Sequence, residues 1–145
     1  MKKRILIAGV SGFLGSGLWQ AASQEKDLEV FGLDINKKQK NTRIYCCDIC
    51  DERKLKTVLS KLRPHYIFHF IGGSLTEPAG LFNANLLSTR CLLNAILQIK
   101  NYHPRVIVPG SAAEYGVVES KNLPIKETQK VQPISMHGFT KYMQT

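Results

Sequence analysis

Three glycines follow directly after a short apolar run near the start of the chain. The stretch IAGVSGFLGS at residues 7–16 carries Gly9, Gly12 and Gly15, and the apolar residues 5–8 lead into it. Glycines at this spacing, between a strand and a helix, allow a tight turn that brings backbone N–H groups against a diphosphate at the helix N-terminus. A flexible β-turn is the simpler alternative, so the rest of the chain must decide between the two.

Apolar runs alternate with helix-length stretches from this turn onward. We predict strands over residues 4–8, 28–33, 43–47, 66–71 and 105–108. We predict helices over residues 13–24, 51–62 and 81–100. Strands with almost no polar residues indicate a sheet covered on both faces. Right-handed crossovers then favour an α/β fold with a doubly wound parallel sheet in the order 3-2-1-4-5, which places the glycine turn where the strand order reverses.

Length and composition favour one domain over residues 1–145, because 43% of the residues are hydrophobic and can build a core. The most irregular segment, residues 116–133, is predicted to be a loop over the strand ends. No apolar stretch approaches the ~20 residues that span a bilayer, and the start MKKRILIAG has no signal-peptide cleavage site. We therefore expect a soluble, cytoplasmic protein with no membrane partner.

The formal net charge of +9 comes from dispersed clusters of lysine and arginine. Their members are Lys2, Lys3, Arg4, Lys37, Lys38, Lys40, Arg43, Arg53, Lys54, Lys56, Lys61 and Arg63. Such a surface can attract polyanions. Neither interleaved aromatic residues, nor zinc-finger spacing, nor an arginine-rich arm accompanies it, so a solvated basic face is favoured over nucleic-acid recognition.

The four cysteines include one Cys-x-x-Cys motif, which is typical of half a zinc site or of a redox pair. They are Cys46, Cys47, Cys50 and Cys91, with the motif at Cys47 and Cys50. No second pair follows, so we interpret the thiols as reduced packing residues and expect no metal.

Asp34 is a candidate for recognising the ribose of a dinucleotide. The second predicted strand ends in Gly32-Leu33-Asp34, nineteen residues beyond Gly15, close to the roughly 20 residues at which doubly wound folds bind the adenosine ribose. A carboxylate there accepts hydrogen bonds from both ribose hydroxyls and repels a 2′-phosphate, which favours NAD over NADP. The alternative is that Asp34 is only a turn residue.

Further motifs follow in an order that is found in one enzyme family. They are Asp48-Ile49, IFHFIGG at 67–73, NANLLSTRCLLNA at 83–95, PGSAAEYG at 109–116 and PISMHGFTK at 133–141. With the glycine turn, these segments resemble the extended short-chain dehydrogenase/reductase family, the NAD-dependent epimerases and dehydratases. The resemblance covers essentially the whole chain and implies a Rossmann-type NAD-binding domain. The chain resembles the amino-terminal half of such proteins, without their carboxyl-terminal substrate domain.

The resemblance also implies which residues bind NAD. The expected cofactor-binding residues are Gly9, Gly12, Phe13, Leu14, Gly15, Asp34, Asp48, Ile49, Phe70, Ile71, Gly72, Asn85 and Lys141. The family pattern is not matched everywhere, since Ile71 and Gly72 replace the usual alanines and Ser88 replaces a glycine.

The catalytic residues implied by the resemblance are Ser111, His137 and Lys141. Ser111 matches the family's serine or threonine, Lys141 matches its lysine, and His137 stands where the family has its tyrosine base. An imidazole has an unperturbed pKa of about 6.5, against about 10 for a phenol, which suits a general base. It also reaches about 2 Å less far, and a misplacement of ~1 Å can cost ~100-fold in rate. Three alternatives stay open: His137 as a substitute base, a weak or inactive enzyme, and a base supplied by another residue.

A second departure from the family's sequence pattern bears on the type of reaction. In sugar-nucleotide 4,6-dehydratases of this family, acidic residues stand where this chain has Ala112 and Ala113, and Glu114 is one place too late to match. The resemblance therefore favours epimerase or reductase chemistry on a nucleotide sugar over dehydration. A non-catalytic dinucleotide-binding module is the alternative function, and a homodimer is one of the oligomeric states left open. We expect the other histidines, His65, His69 and His103, to be structural or exposed.

Overall fold

The computed structural model describes residues 2–36, 41–73 and 77–145 of the chain. The strands are β1 (Lys3–Ala8), β2 (Leu28–Asp34), β3 (Ile44–Cys46), β4 (Tyr66–His69) and β5 (Arg105–Ile107). The helices are α1 (Phe13–Ala22), α2 (Glu52–Leu62), α3 (Pro78–Phe82), α4 (Ser88–Leu97) and α5 (Met136–Gln144). One π-helical turn and two 3₁₀ turns complete the set: Asn83–Leu87, Ala112–Tyr115 and Ser120–Asn122. Of the basic clusters, Lys37, Lys38 and Lys40 lie outside the described residues.

The five strands form one parallel sheet in the order β3-β2-β1-β4-β5, which confirms the predicted order. β1 lies at the centre, where Ile5 is in register with Val30 of β2 and with Tyr66 of β4. The glycine turn after β1 therefore stands where the chain crosses from one half of the sheet to the other. This is the position at which open α/β sheets bind ligands.

Both faces of the sheet are covered, as the apolar strands predict. Successive side chains of a strand point to opposite faces. Ile5 and Ile7 of β1 are buried in a cluster that includes residues of α1. Leu6 and Ala8 are buried in a second cluster with leucines of α2 and α4.

The local sequence of α2 explains its position and its ends. Leu55, Leu59 and Leu62 recur at helical spacing and are all buried. The Asp51 carboxylate accepts a hydrogen bond from the Lys54 backbone N–H at 3.1 Å and so caps the first turn. Arg63 ends the helix in the left-handed conformation, with φ of +42°.

The predicted long helix near residues 81–100 corresponds to three adjoining helical segments over residues 78–97. The chain forms α3, then the π-helical turn Asn83–Leu87, and then α4. A π turn accommodates one extra residue and is frequent at functional sites. Here it carries Asn85, whose side chain is fully buried. α5 and the two 3₁₀ turns were not predicted from periodicity.

The chain divides into two compact units. The first comprises residues 1–71 and 87–108 and contains the whole sheet. The second comprises residues 72–86 and 109–145 and contains α3 and α5. Among the residues described in either unit, no helix has both the length and the apolar character needed to cross a bilayer.

Candidate functional site

The glycine turn of the first unit depends on two glycines for steric reasons. Gly9 has φ of +81°, and a Cβ there would lie 3.0 Å from the carbonyl carbon of Phe70. A Cβ on Gly15 would overlap the carbonyl oxygen of Gly9 and lie 2.8 Å from the Cα of Val10. These two glycines therefore allow α1 to begin directly against the end of β1.

Gly12 has a different environment, which bears on ligand binding. A Cβ there would meet only the Gly9 carbonyl oxygen, at 3.3 Å, a close contact that a shift of a few tenths of an ångström relieves. Gly12 is the N-cap of α1, contributes no side-chain cap, and is followed by a first turn without acidic residues. Phe13 and Leu14, the next two residues, are exposed. The first amides of a helix have no partner within it, so this open, uncapped end fits a diphosphate.

Asp34 lies at the end of β2 and is connected to the glycine turn. Its Oδ2 accepts the Ser11 backbone N–H at 3.0 Å, and its Oδ1 accepts the Asn36 N–H at 3.3 Å. These bonds orient the half-buried carboxylate beside the start of α1. A carboxylate in this place fits the two hydroxyls of a ribose.

The other cofactor residues predicted in this unit fall into two pairs. Asp48 is exposed, and its Oδ1 accepts the Cys50 N–H at 2.9 Å, whereas Ile49 is buried in the core. Phe70 and Ile71 are half-buried after β4, and the Phe70 backbone N–H donates to Ala8 at 2.9 Å. Both pairs follow carboxyl ends of strands, the edge at which open parallel sheets bind ligands, and Ile49 is the member that the core buries.

The cysteines show no sign of a reactive or metal-binding pair. All four are free. Burial raises the pKa of Cys47 to about 11, and burial together with a hydrogen bond to Cys91 raises that of Cys50 to about 12. Such thiols are mostly protonated at neutral pH and react slowly. Within the described ranges, no three His, Cys, Asp or Glu side chains are grouped to hold a metal.

The three other histidines occupy positions consistent with the prediction. His69 is fully buried, with Nε2 2.9 Å from the Thr89 hydroxyl and 3.2 Å from that of Ser88. His65 Nδ1 accepts the Arg4 backbone N–H at 3.0 Å. His103 is exposed.

In the second unit, Asn85 belongs to a buried polar contact. Its Nδ2 donates to the Thr140 hydroxyl at 2.9 Å, and both residues are fully buried. The Thr140 hydroxyl in turn donates to the His137 carbonyl at 3.1 Å. A Cβ on Gly72 would lie 3.2 Å from Asn85 Oδ1, so Gly72 lies close to this contact.

Ser111 begins the 3₁₀ turn Ala112–Tyr115 and is held by a capping box. Its hydroxyl accepts the Ala113 N–H at 3.2 Å, and its own backbone N–H donates to Glu114 Oε1 at 2.6 Å. The turn packs tightly against α5, where a Cβ on Gly138 would overlap the Ala113 carbonyl oxygen. The fold thus brings the Ser111 turn to the helix that carries His137 and Lys141.

Lys141 and His137 lie one turn apart on α5. Lys141 is only 8% exposed, and its Nζ donates to the Pro109 carbonyl at 2.7 Å and to Gln144 Oε1. Burial lowers the pKa of Lys141 from its usual 10.5, and Glu114 opposes that shift. His137 is half-buried in the first turn of α5, which Ser135 caps by accepting the Gly138 N–H at 3.0 Å.

Two residues of this unit were not identified by the sequence reasoning. Glu114 was considered only as a misplaced acid, although Ser111 and Glu114 form the Ser-x-x-Glu spacing that is typical of a capping box. Gly138 had no comparable signal, because the need for glycine there comes from a neighbour distant in sequence.

Comparison with known proteins identifies one family. The sequence profile described as the NAD dependent epimerase/dehydratase family matches residues 5–145. The UDP-glucose 4-epimerase of Mycoplasma genitalium is 28% identical over 95% of this chain and 46% of the relative. The GDP-6-deoxy-D-talose 4-dehydrogenase of Aggregatibacter actinomycetemcomitans is 25% identical over 96% of this chain and 45% of the relative. This chain therefore spans about 45% of the length of these relatives.

A solved structure gives the same result. The UDP-glucose 4-epimerase of Brucella ovis, in complex with NAD, superposes with a TM-score of 0.80 and 27% identity, covering 98% of this chain and 45% of that one. The predicted cofactor, NAD, is thus confirmed at the level of the family. The individual site residues stay predictions.

Proposed function

The chain belongs to the NAD-dependent epimerase/dehydratase family, and from that membership we propose that it is the NAD-binding part of an enzyme acting on a nucleotide sugar. The observation that carries the proposal is the uncapped N-terminus of α1 at Gly12, next to the Asp34 carboxylate. These groups have the complementary charge and hydrogen bonding for the diphosphate and the ribose of NAD.

In this proposal, the first unit binds the adenosine half of the cofactor. The amides at the start of α1 bind the diphosphate, and Asp34 accepts the ribose hydroxyls. Asp48 and Ile49 lie beside the adenine, and Phe70 and Ile71 border the cofactor after β4. The cofactor-binding residues predicted by the family resemblance also include Gly72, Asn85 and Lys141. Bound NAD supplies a hydride acceptor and donor for a carbon of the sugar.

Ser111 and Lys141 have hydrogen-bonding capacity that suits their proposed roles. The Ser111 hydroxyl uses a lone pair to accept the Ala113 amide, so its proton is available to a substrate oxygen. An ammonium group has three donors, and two of those on Lys141 are bound to Pro109 and Gln144. The third can bind a hydroxyl of the nicotinamide ribose.

His137 is the proposed substitute for the family's tyrosine, and its role needs a direct test. The parent protein and its variants His137→Tyr and His137→Phe are assayed for turnover of UDP- or GDP-linked hexoses in the presence of NAD. If histidine is the working base, both substitutions lower turnover, by the 10² to 10⁴ that a positioned acid–base group typically contributes. If histidine is a defect, tyrosine raises turnover and phenylalanine does not. A measurable rate that is the same with all three residues at position 137 would assign the base to another residue.

A second candidate function is a non-catalytic dinucleotide-binding module. The observation that favours it is the replacement of the tyrosine by His137. It differs from the first in one measurable respect: the module binds NAD but gives no turnover with any residue at position 137.

NAD binding itself is tested at Gly12. We expect Gly12→Val to abolish NAD binding in calorimetry while the fold persists, because its Cβ needs only a small shift of the Gly9 carbonyl but its side chain occupies the path of the diphosphate. Gly17→Val is the matched control, since a Cβ at Gly17 meets nothing within 4 Å and Gly17 lies farther along α1. An unchanged NAD affinity in Gly12→Val would mean that the three glycines form only a structural turn.

A further inference from the structure

Glu114 connects the two groups on which the proposed chemistry depends. Its Oε1 accepts the Ser111 backbone N–H at 2.6 Å, which makes this one of the shorter hydrogen bonds of the second unit. The Thr145 hydroxyl lies 3.2 Å from Glu114 Oε2 and 3.3 Å from the Lys141 carbonyl oxygen, so its single proton is shared between these two acceptors. The carboxylate therefore contacts the backbone of Ser111 and a residue bonded to the turn of α5 that carries Lys141.

The buried ammonium group of Lys141 is stabilised by a negative charge in its surroundings. The ammonium group is buried and bonded to neutral oxygens of Pro109 and Gln144. Among the described residues, the ion pairs join Lys54 to Asp51 and Lys121 to Glu119, and neither includes Lys141. A buried cation without a nearby anion is destabilised.

Several ionisable groups lie on α5 and on the segments of the same unit. α5 itself carries His137 and Tyr142, the adjoining 3₁₀ turn carries Glu114 and Tyr115, and Glu77 precedes α3. The Glu77 carboxylate is bound to the Ala79 and Gly80 amides. Glu114 is the group whose charge raises the pKa of Lys141 against the effect of burial.

We propose that Glu114 is a positioning residue: it fixes the backbone of Ser111 and is the counter-charge of Lys141. The proposal rests on the proposed function, because that function gives Ser111 and Lys141 their roles. It also explains why residue 110 is a glycine, because a Cβ there would lie 3.2 Å from Glu114 Oε1 and crowd the carboxylate.

Two substitutions separate the hydrogen bond from the charge. Glu114→Gln keeps an oxygen that can accept the Ser111 N–H but removes the charge, and Glu114→Ala removes both. Glu119→Gln is the matched control, because it removes one carboxylate of the same unit from an exposed ion pair.

The structural part of the proposal is measured in the unliganded 145-residue chain by NMR. The pKa of Lys141 is followed with ¹³C-labelled lysine and assigned by the loss of its signal in Lys141→Arg. We expect a lower Lys141 pKa in Glu114→Gln and Glu114→Ala, and an upfield shift of the Ser111 amide proton in Glu114→Ala alone. Glu119→Gln should change neither. An unchanged Lys141 pKa in both Glu114 variants, or an unmoved Ser111 amide in Glu114→Ala, would overturn the proposal.

NAD affinity distinguishes the failure of this proposal from the failure of the proposed function. We expect Glu114→Ala to bind NAD about tenfold more weakly, the factor equivalent to one charge-assisted hydrogen bond, with Glu119→Gln at the parent affinity. Unaltered affinity in Glu114→Ala would overturn the positioning role while the function stands. A parent chain that does not bind NAD would refute the function, and the two NMR measurements would still decide the role of Glu114.

Discussion

At the scale of single residues, we expect Asp34 to determine which dinucleotide the chain prefers. Its carboxylate is oriented by the Ser11 and Asn36 amides, and a 2′-phosphate placed there would be repelled. We expect NAD to bind more tightly than NADP, and Asp34→Ala to reduce or remove the difference. Calorimetry with both cofactors measures it, and equal affinities in the parent chain would contradict the assignment.

Cys47 gives a pH dependence of stability. Its usual pKa of 9.0 is raised to about 11, chiefly by burial and secondly by the charge of Asp51. The unfolded chain therefore releases this proton first, so the stabilisation is complete below pH 9 and is lost as the pH rises through about 11.

We expect the free energy of unfolding in urea to decline over this pH range. The free energy of unfolding of Cys47→Ala should decline less steeply. The control is Cys46→Ala, which removes an exposed thiol. Equal slopes in Cys47→Ala and the parent chain would show that other groups cause the decline.

The role of a residue could be predicted from the sequence where a short motif carries the chemistry. It could be predicted less well where the role depends on a contact with a residue distant in sequence. Ser111 and Lys141 came from motifs, whereas the hydrogen bond from Asn85 to Thr140 joins residues distant in sequence. Glu114 lies between these cases. Its part in the capping box follows from a local sequence spacing, but its effect on the pKa of Lys141 depends on how the turn packs against α5.

At the scale of elements, α1 contains two glycines that should respond in opposite directions to the same substitution. We expect Gly15→Ala to lower the free energy of unfolding by about 1–3 kcal/mol, the usual cost of overpacking, because its Cβ overlaps the Gly9 carbonyl. Gly17→Ala should raise it by about 0.5–1 kcal/mol, since its Cβ has free space and alanine favours the helix. Urea denaturation measures both, and equal changes would mean that α1 does not depend on the close approach at Gly15.

The strands were predictable as elements because a buried parallel sheet requires nearly continuous apolar runs, as in residues 5–8. The π-helical turn Asn83–Leu87 was not, because its altered hydrogen bonding leaves the apolar composition of the segment unchanged. α5 was missed because its sequence, MHGFTKYMQ, includes a glycine and a mixture of polar and apolar residues. Its start is nonetheless marked by Ser135, whose hydroxyl caps it.

At the scale of the whole molecule, the net charge of +9 predicts a weak and unspecific attraction to polyanions. We expect a fluorescently labelled DNA of random sequence to bind at low salt and to be released between about 50 and 200 mM salt, because such binding comes from counterion release. Fluorescence anisotropy measures it. Binding that survives the higher salt, or that prefers one DNA sequence, would contradict the interpretation of the basic surface as a solvated face.

The central position of β1 sets the order in which the sheet can assemble during translation. β1 leaves the ribosome before the other four strands, β2 follows, and β4, its second neighbour, is made only ~60 residues later. At roughly 5–20 residues per second, that interval lasts roughly 3–12 s. The β1–β2 pair can form about halfway through this interval, once β2 has been made, and until β4 follows the free edge of β1 lacks its final partner. This is therefore the stage at which a ribosome-bound chaperone would most effectively prevent aggregation.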